Sequence, residues 1–540
     1  MVGQDNCSIS RRRIVGLLAG GGVAAWASRG LTEAQTSPPG GETPRYGGVF
    51  TQDTFADPPH FDLHQSETIN ALLPLSPCYN RLVQPDPLDV NKIIPDLAER
   101  WEISRDGRLY TFYLRRDVKF HHGKPLLAED VKASWDRIFD PPKGVFSVRR
   151  PIFEAISGIE TAGPNTVRFA LKRPSWSLLT NMAHGWNVIF PKDVLGTKGD
   201  MKRDVVGTGP FKFKQYVRGV SLEVEKNSEY HVKGRPYLDG VKTFFIPDTN
   251  TAVNAYIAGQ LMLHEVTVES QADQARQALG ARGVVVKTPQ MSCLTLEMNA
   301  GRKPWSDPRV RQAASMAIDR KEAMQVMTDG AGEVGGVMLP TGRWALPLAE
   351  LQKLPGYSSD KAAERTQAKK LLAEAGLVNG FKTTMTVRRG QQYETAAVLL
   401  KDHLGQVGIE AKIDVVETAT YLDRMARREF EICGTSFSTA VDDPDAILGQ
   451  NYLCNAGRNY GNMCVPELEK LHIQQSQIED FNTRLPVVHQ VQHVILKNVM
   501  KAVLGFRVTW FLYASNVKGY RPQYSRYLAE TREQVWLARA

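Results

Sequence analysis

The chain has no block of clustered lysine or arginine, although its formal charge is +9 over 540 residues. The basic residues are scattered, which argues against a nucleic-acid groove. No G-x-S-x-G, H-E-x-x-H or Walker-type loop occurs, so the familiar marks of serine hydrolases, zinc proteases and P-loop NTPases are missing. The glycine-rich "LAGGGVAA" is no phosphate cradle, because it sits inside an N-terminal apolar leader. Beyond that leader, no apolar run reaches the ~20 residues that a bilayer span needs. No internal repeat at a period of about 20–50 residues is visible. Cysteine is scarce, with six in the whole chain.

What is present begins with "SRRRIVGLLAGGGVAAWA", Ser10 to Ala27. Its apolar part, Ile14–Ala27, is too short to span a bilayer. Arg11 to Arg13 precede it and Ala25-Trp26-Ala27 closes it, the pattern of an export signal. The Ser-Arg-Arg start is that of a twin-arginine signal. We expect residues 1–34 to be such a signal, cut after Ala27 or Ala34. Residues 35–45, with "TSPPGGETP", read as a disordered leader. Cys7 precedes the arginines and is not placed as a lipid anchor. Export favours an oxidising compartment. Cys454 and Cys464 enclose the polar loop "NAGRNYGNM", and a disulfide is expected there. The spacing does not suit zinc, and the loop holds no histidine. Cys78, Cys293 and Cys433 are expected as buried single thiols.

Strand and helix signals alternate along the mature chain. "YGGVFTQDT" reads as a strand, and "RLYTFYLRRDVKF" alternates after an Asp106-Gly107 turn. "LLAEDVKASWDRIF" keeps Leu127, Val131, Trp135 and Ile138 at helical spacing. "GPFKFKQYVRGVSLEVEKN" predicts a hairpin about Arg218-Gly219. "DPRVRQAASMAIDRKEAMQVM" predicts one long amphipathic helix. "DKAAERTQAKKLLAEAG" predicts another, ended by Gly376. "YETAAVLLKDHLGQVGI" followed by "EAKIDVVE" predicts a βαβ unit. Pro95-Asp96-Leu97 predicts a turn and helix cap, and Asp307 caps the helix after Pro308.

Several blocks in order resemble a known family. They are "GGVFTQDTFADPPHFDLH", "IIPDLAERWEISRDGRLYTFYLRRDVKFHHGKPLLAEDV", "VGTGPFKFK", "KNSEYHVKGRPYLDGV", "PWSDPRVRQAASMAIDR" and "AKKLLAEAG". Together they are similar to the family 5 solute-binding proteins of ABC importers, the peptide/nickel-binding family. The resemblance implies an α/β, two-lobed periplasmic-binding-protein-like fold (type II, large cluster C), with a hinge. Lobe I would take residues 46–86, 205–288 and 505–540, with an extra subdomain inserted at 87–204. Lobe II would take 289–504. The chain would cross the hinge near "QMSCLTLEMN" and "VLGFRVTW". The implied protein is a periplasmic monomer that shuts on an oligopeptide-sized solute and docks on an inner-membrane ABC permease. It needs no cofactor, metal or nucleic acid and is no enzyme; the alternative weighed is a secreted hydrolase on a similar scaffold.

The resemblance also implies where solute is gripped. Backbone at Glu67, Thr68 and Ile69, and at Ser436 to Ala440, would pair with an extended ligand. Phe437 would be pocket wall or core, and Ser438 lies between. Relatives carry an ammonium-binding aspartate at the position of Ala440. Here a short gap would bring Asp442 to that place; otherwise Asp442 and Asp443 are solvated loop acids. His121-His122 lacks a spaced metal-binding partner. His60, His64 and Trp305 read as structural.

Overall fold

The computed structural model describes residues 42–539, apart from 67, 88, 146, 148, 529 and 530. The expected signal, most of the leader and Glu67 therefore lie outside the described residues. Period-two stretches become a ten-stranded sheet. Its strands are β1 Val49–Thr54, β2 Phe211–Val217, β3 Ser221–Lys226, β4 Gly240–Phe245 and β5 Leu263–Val266. They continue with β6 Gly283–Met298, β7 Phe381–Arg388, β8 Ile409–Val416, β9 Ile432–Ser438 and β10 Ala502–Ala514. The order across the sheet is β8-β7-β9-β6-β10-β5-β1-β4-β3-β2.

The centre of this sheet divides it. Gly283–Pro289 of β6 pairs with Val508–Ala514 of β10, and Cys293–Leu296 pairs with Ala502–Phe506. The register breaks between Pro289 and Cys293. On one side of the break β10 pairs with β5 through Trp510–Tyr513. On the other, β6 pairs with β9 through Ser292–Met298. A proline and a local register shift weaken the ladder at that point.

Local chemistry explains most of the elements. Asp106-Gly107 turns the chain between strands Ala98–Ile103 and Leu109–Leu114, with Gly107 at φ +66°. Those strands join Ile156–Thr161 and Thr166–Leu171 in a separate four-stranded sheet. Helix Ala128–Phe139 buries Val131, Trp135 and Ile138 against it. Parallel β7 and β8 flank helix Gln391–Gly405, the expected βαβ unit. An added Cβ at Gly207 would lie 2.0 Å from the Cys78 carbonyl oxygen, so only glycine lets the two backbones touch.

Two expectations need correction. The long helix after Pro308 is two, Pro308–Ala317 and Arg320–Met327. Ile318 is extended, and Asp319 caps the second helix by accepting from the Glu322 N–H. A side-chain cap offers the backbone an exit that periodicity does not reveal. Asp96 caps no helix either. It precedes strand Ala98–Ile103 and accepts from the Asn80 amide and the Arg81 N–H, both at 2.8 Å.

Apolar side chains gather in separate cores. One surrounds Phe112, Trp135 and Phe169, and another joins Phe50, Phe190, Phe211 and Phe511. Beyond the break in β6, one core holds Trp344, Phe437 and Phe506 and another holds Trp305, Leu400 and Ile432. Trp305 donates to the Thr383 hydroxyl at 3.2 Å, consistent with its expected core role. Among the described residues, no helix is long and apolar enough to cross a membrane.

The turn after β1 is clamped by two buried arginines. Arg137 grips Asp62 bidentately at 3.0 and 2.5 Å. Arg149 donates to the carbonyls of Leu63, His64 and Ser66. His64 is structural, its ring bonded to the Val188 carbonyl at 2.9 Å. Burial pushes the Asp62 carboxyl up, but the Arg137 hydrogen bond and the surrounding charges outweigh it and hold the group well below the usual carboxylate range. A depressed carboxyl adds stability above its ordinary range and loses it as pH falls. We expect Asp62→Asn, which leaves Arg137 buried without its anion, to cost about 3–5 kcal/mol at pH 7. Urea denaturation should show the deficit shrinking below about pH 4; an equal deficit at every pH would contradict the assignment.

Candidate functional site

Three distant stretches of chain converge on one cavity of about 330 Å³, partly open to solvent. Arg149, His184 and Trp186 come from the first. Ser438, Ala440, Gln450 and Arg458 come from the second, and Tyr527 comes from the C-terminal segment. Trp186 belongs to the core around Phe50 and Phe190, whereas Phe437, next to Ser438, belongs to the core around Trp344.

Each wall has a local reason for its place. His184 and Trp186 follow the short helix Leu178–Met182, in a turn closed by the Asn187 N–H on the His184 carbonyl at 3.0 Å. The Gly185 N–H donates to the Tyr527 carbonyl at 3.1 Å. Trp186 stacks on Tyr527 at 6.1 Å and 30°, and the Arg149 guanidinium lies 5.2 Å from the Trp186 ring centre. Ser438 ends β9, and Gln450 lies on helix Pro444–Asn451.

Arg458 sits in the loop that Cys454 and Cys464 close, their sulfurs 1.96 Å apart. Inside that loop Asn459 donates to the Leu453 and Met463 carbonyls. Lys501, buried in an ion pair with Glu297 at 2.5 Å, donates to the Arg458 carbonyl at 3.0 Å. Cys78, Cys293 and Cys433 are buried single thiols.

Of the residues expected from sequence, Ser438 and Ala440 line this cavity. Phe437 and Ser436 lie one and two residues further back on β9, opposite Cys293 and Leu294. Phe437 is 5% exposed and packs edge-on against Tyr452 at 6.0 Å, in the core rather than in the lining. Thr68 caps helix Ile69–Leu75, and Ile69 is buried among apolar neighbours. The extended segment expected at 67–69 thus turns helical at Ile69, because the Thr68 hydroxyl accepts the Asn70 N–H.

Asp442 and Asp443 are buried, at 7% and 1% exposure, and are not solvated loop acids. Asp443 pairs with Arg484 at 3.1 Å and caps helix Pro444–Asn451. Asp445 accepts from Ser177 and Gln475. Asp442 faces the Gly342–Trp344 loop, where Trp344 donates to its carbonyl at 2.9 Å. It is not among the residues lining the cavity.

Burial, and then the charge of Asp443, push the Asp442 carboxyl up to about 7. Such a group binds its proton more tightly folded than unfolded, so stability declines as pH rises from about 4 to about 7. We expect Asp442→Asn to be about 1–3 kcal/mol more stable than the parent at pH 8, and nearly equal to it at pH 4. Denaturation at both pH values checks this. Loss of solute binding with unchanged stability would instead make Asp442 a ligand residue. Replacing Cys454 and Cys464 by serine should cost ~2–3 kcal/mol, from the short loop they close. Its readout is the melting temperature with and without reductant.

Arg149, His184, Trp186, Gln450, Arg458 and Tyr527 went unread in the sequence. No motif ties them, and only the tertiary fold brings them together. The one local hint is "AHGWNVIFP", whose polar His184 and Asn187 are buried along with its apolar residues.

A sheet divided at its centre, separate cores on each side and a cavity walled from both define a two-lobed α/β binding protein. The chain belongs to the bacterial extracellular solute-binding proteins of family 5: the family's middle-region model matches residues 92–459. A probable di/tripeptide-binding protein 5 of Pseudomonas aeruginosa UCBPP-PA14 is 27% identical over 509 residues, 88% of this chain and 94% of that one. The periplasmic binding protein DppA of Helicobacter pylori, solved with the peptide STSA, superposes with a TM-score of 0.79 at 26% identity. That match covers 91% of this chain and 98% of the other. The binding protein AgaA of A. tumefaciens R10, solved with agropinic acid, superposes at 0.81 with 25% identity, over 91% and 99% of the two chains.

Proposed function

We propose that this protein is the solute-capturing component of an ABC importer, holding a peptide-sized solute in the cavity between its lobes and releasing it to an inner-membrane permease. It acts in the periplasm as a monomer, exported by the twin-arginine signal in residues 1–34. Lobe I comprises residues 46–86, 205–288 and 505–540 with the insertion at 87–204, and lobe II comprises 289–504. The proteins it resembles are named for di- and tripeptides, and one is solved with agropinic acid, so the solute is of that size.

The observation that carries this reading is the closed seam beside the cavity. The Trp176 N–H donates to the Ser476 carbonyl at 3.0 Å, and the Ser177 hydroxyl donates to Asp445. Residues 150–177 thus meet residues 443–476 directly. A solute touching both walls binds only the closed form and shifts the population towards it. At 100 times its dissociation constant it adds about 2.7 kcal/mol to stability. Among the described lining residues Ser438 and His184 are not hydrogen-bonded to each other, so we expect the solute to leave unaltered.

The test is to export the protein by its own route, denature it, and identify by mass spectrometry what it carried. We expect one dominant small molecule that, added back, narrows the X-ray scattering profile and is recovered unchanged. A chemically altered product, or superimposable scattering curves with and without the solute, would end this reading.

A further inference from the structure

We propose that His184 is a solute-binding residue, and that it selects a neutral group able both to donate and to accept hydrogen bonds, a carboxamide or a hydroxyl, carried by the solute into this cavity. This rests on the cavity being the solute site.

His184 is 4% exposed and lines the cavity. Neither of its ring nitrogens has a hydrogen-bond partner. Buried polar atoms are rarely left so in a native fold, and an exception asks for a ligand, an ion or water. Burial first, and then neighbouring guanidiniums, hold the imidazole well below its ordinary range, so the ring is neutral. A neutral imidazole carries one N–H and one lone pair. Its place in the wall is fixed by backbone: the Asn187 N–H closes the turn on the His184 carbonyl, and the Gly185 N–H donates to Tyr527.

The other groups that remain for a solute are of the same kind. Among the described residues, the Ser438 hydroxyl and the Gln450 carboxamide, both in the lining, have no side-chain partner. Each donates and accepts. Arg149 and Arg458 stand in the same wall, but both are engaged within the protein. The solute group that fits must therefore answer neutral, two-way partners. A carboxylate brings no hydrogen for the imidazole lone pair. An ammonium brings no lone pair for the imidazole N–H. An apolar group closed against His184 leaves both nitrogens buried and unmet, at the full cost of their desolvation. A carboxamide or a hydroxyl meets whichever nitrogen faces it. Sites built to hydrogen-bond a group reject the near-isostere that lacks it.

Near-isosteric side chains on one peptide backbone provide the test. The probes are glycyl peptides ending in glutamine or methionine, threonine or valine, and glutamate or lysine, each with a free and with an acetylated N-terminus. Isothermal calorimetry compares side chains at a fixed terminus. We expect the polar member of at least one pair to bind about tenfold or more tightly than its apolar partner; the glutamine and threonine arms separate carboxamide from hydroxyl. His184→Phe should abolish that ratio and leave the melting temperature of the empty protein unchanged or raised. His184→Gln, which keeps a donor and an acceptor, should restore the ratio. A histidine with only a structural role would change the melting temperature and leave the ratio alone. Should His184→Phe not fold, Gln450→Leu, at a half-buried lining position, should lower the same ratio. The inference fails if methionine and valine bind as well as glutamine and threonine, or if the glutamate or lysine peptide binds more tightly than either. It fails too if the ratio survives in His184→Phe, the nitrogens then meeting water only, or if no peptide binds. The capture reading is judged separately, by whether the solute recovered from the exported protein changes the scattering profile.

Discussion

Two strands, β6 and β10, carry the mechanical constraint on which the rest depends. Each runs through both halves of the sheet, so the halves are joined by continuous backbone and not by loose linkers. Strand backbone resists stretching and shear, but a ladder interrupted at Pro289–Cys293 can bend there. Relative motion of the halves is therefore confined to a hinge-like path. A cavity walled from both sides keeps its geometry each time it forms.

The walls are then fixed by buried charge. Arg137 and Arg149 reach from the stretch that carries the four-stranded sheet to the turn after β1, and so tie that stretch to the main sheet. Lys501, at the start of β10, meets Glu297 on β6 and then braces the Arg458 loop. Burying such pairs costs desolvation and adds little net stability. What they add is definition, since each guanidinium or ammonium satisfies several acceptors at once. The disulfide does the same for the one wall that lacks regular secondary structure.

Much of the fold was legible because its signals are local or arrive in ordered blocks. The hairpins at Gly107 and Gly219, the βαβ unit at 381–416 and the Asp307 cap follow from turn chemistry and periodicity. The failures were also local in origin: the cap at Asp319 starts a second helix where patterning predicted one, and the cap at Thr68 starts a helix where the resemblance implied a ligand-pairing backbone. The site was less legible. Ser438 and Ala440 were reached through the family resemblance. His184, Arg458 and Tyr527 were not, because they lie on distant stretches of the chain and share no spacing. Phe437 shows the limit of register itself: one strand residue away from Ser438, it points into the opposite layer.

The acidic block "VDDPDA" shows how the fold claims carboxylates whose role the sequence leaves open. Three carboxylates within a few residues suggest a site for cations. The fold spends them inward: one caps a helix and pairs with Arg484, and one ties Ser177 to Gln475. The third faces a backbone loop under conditions that favour its protonated form. With its acids turned into the protein, the described residues of this strand end that line the cavity are Ser438 and Ala440. A carboxylate's position in sequence thus says little about the charge a pocket offers; what matters is which partner claims it on the way.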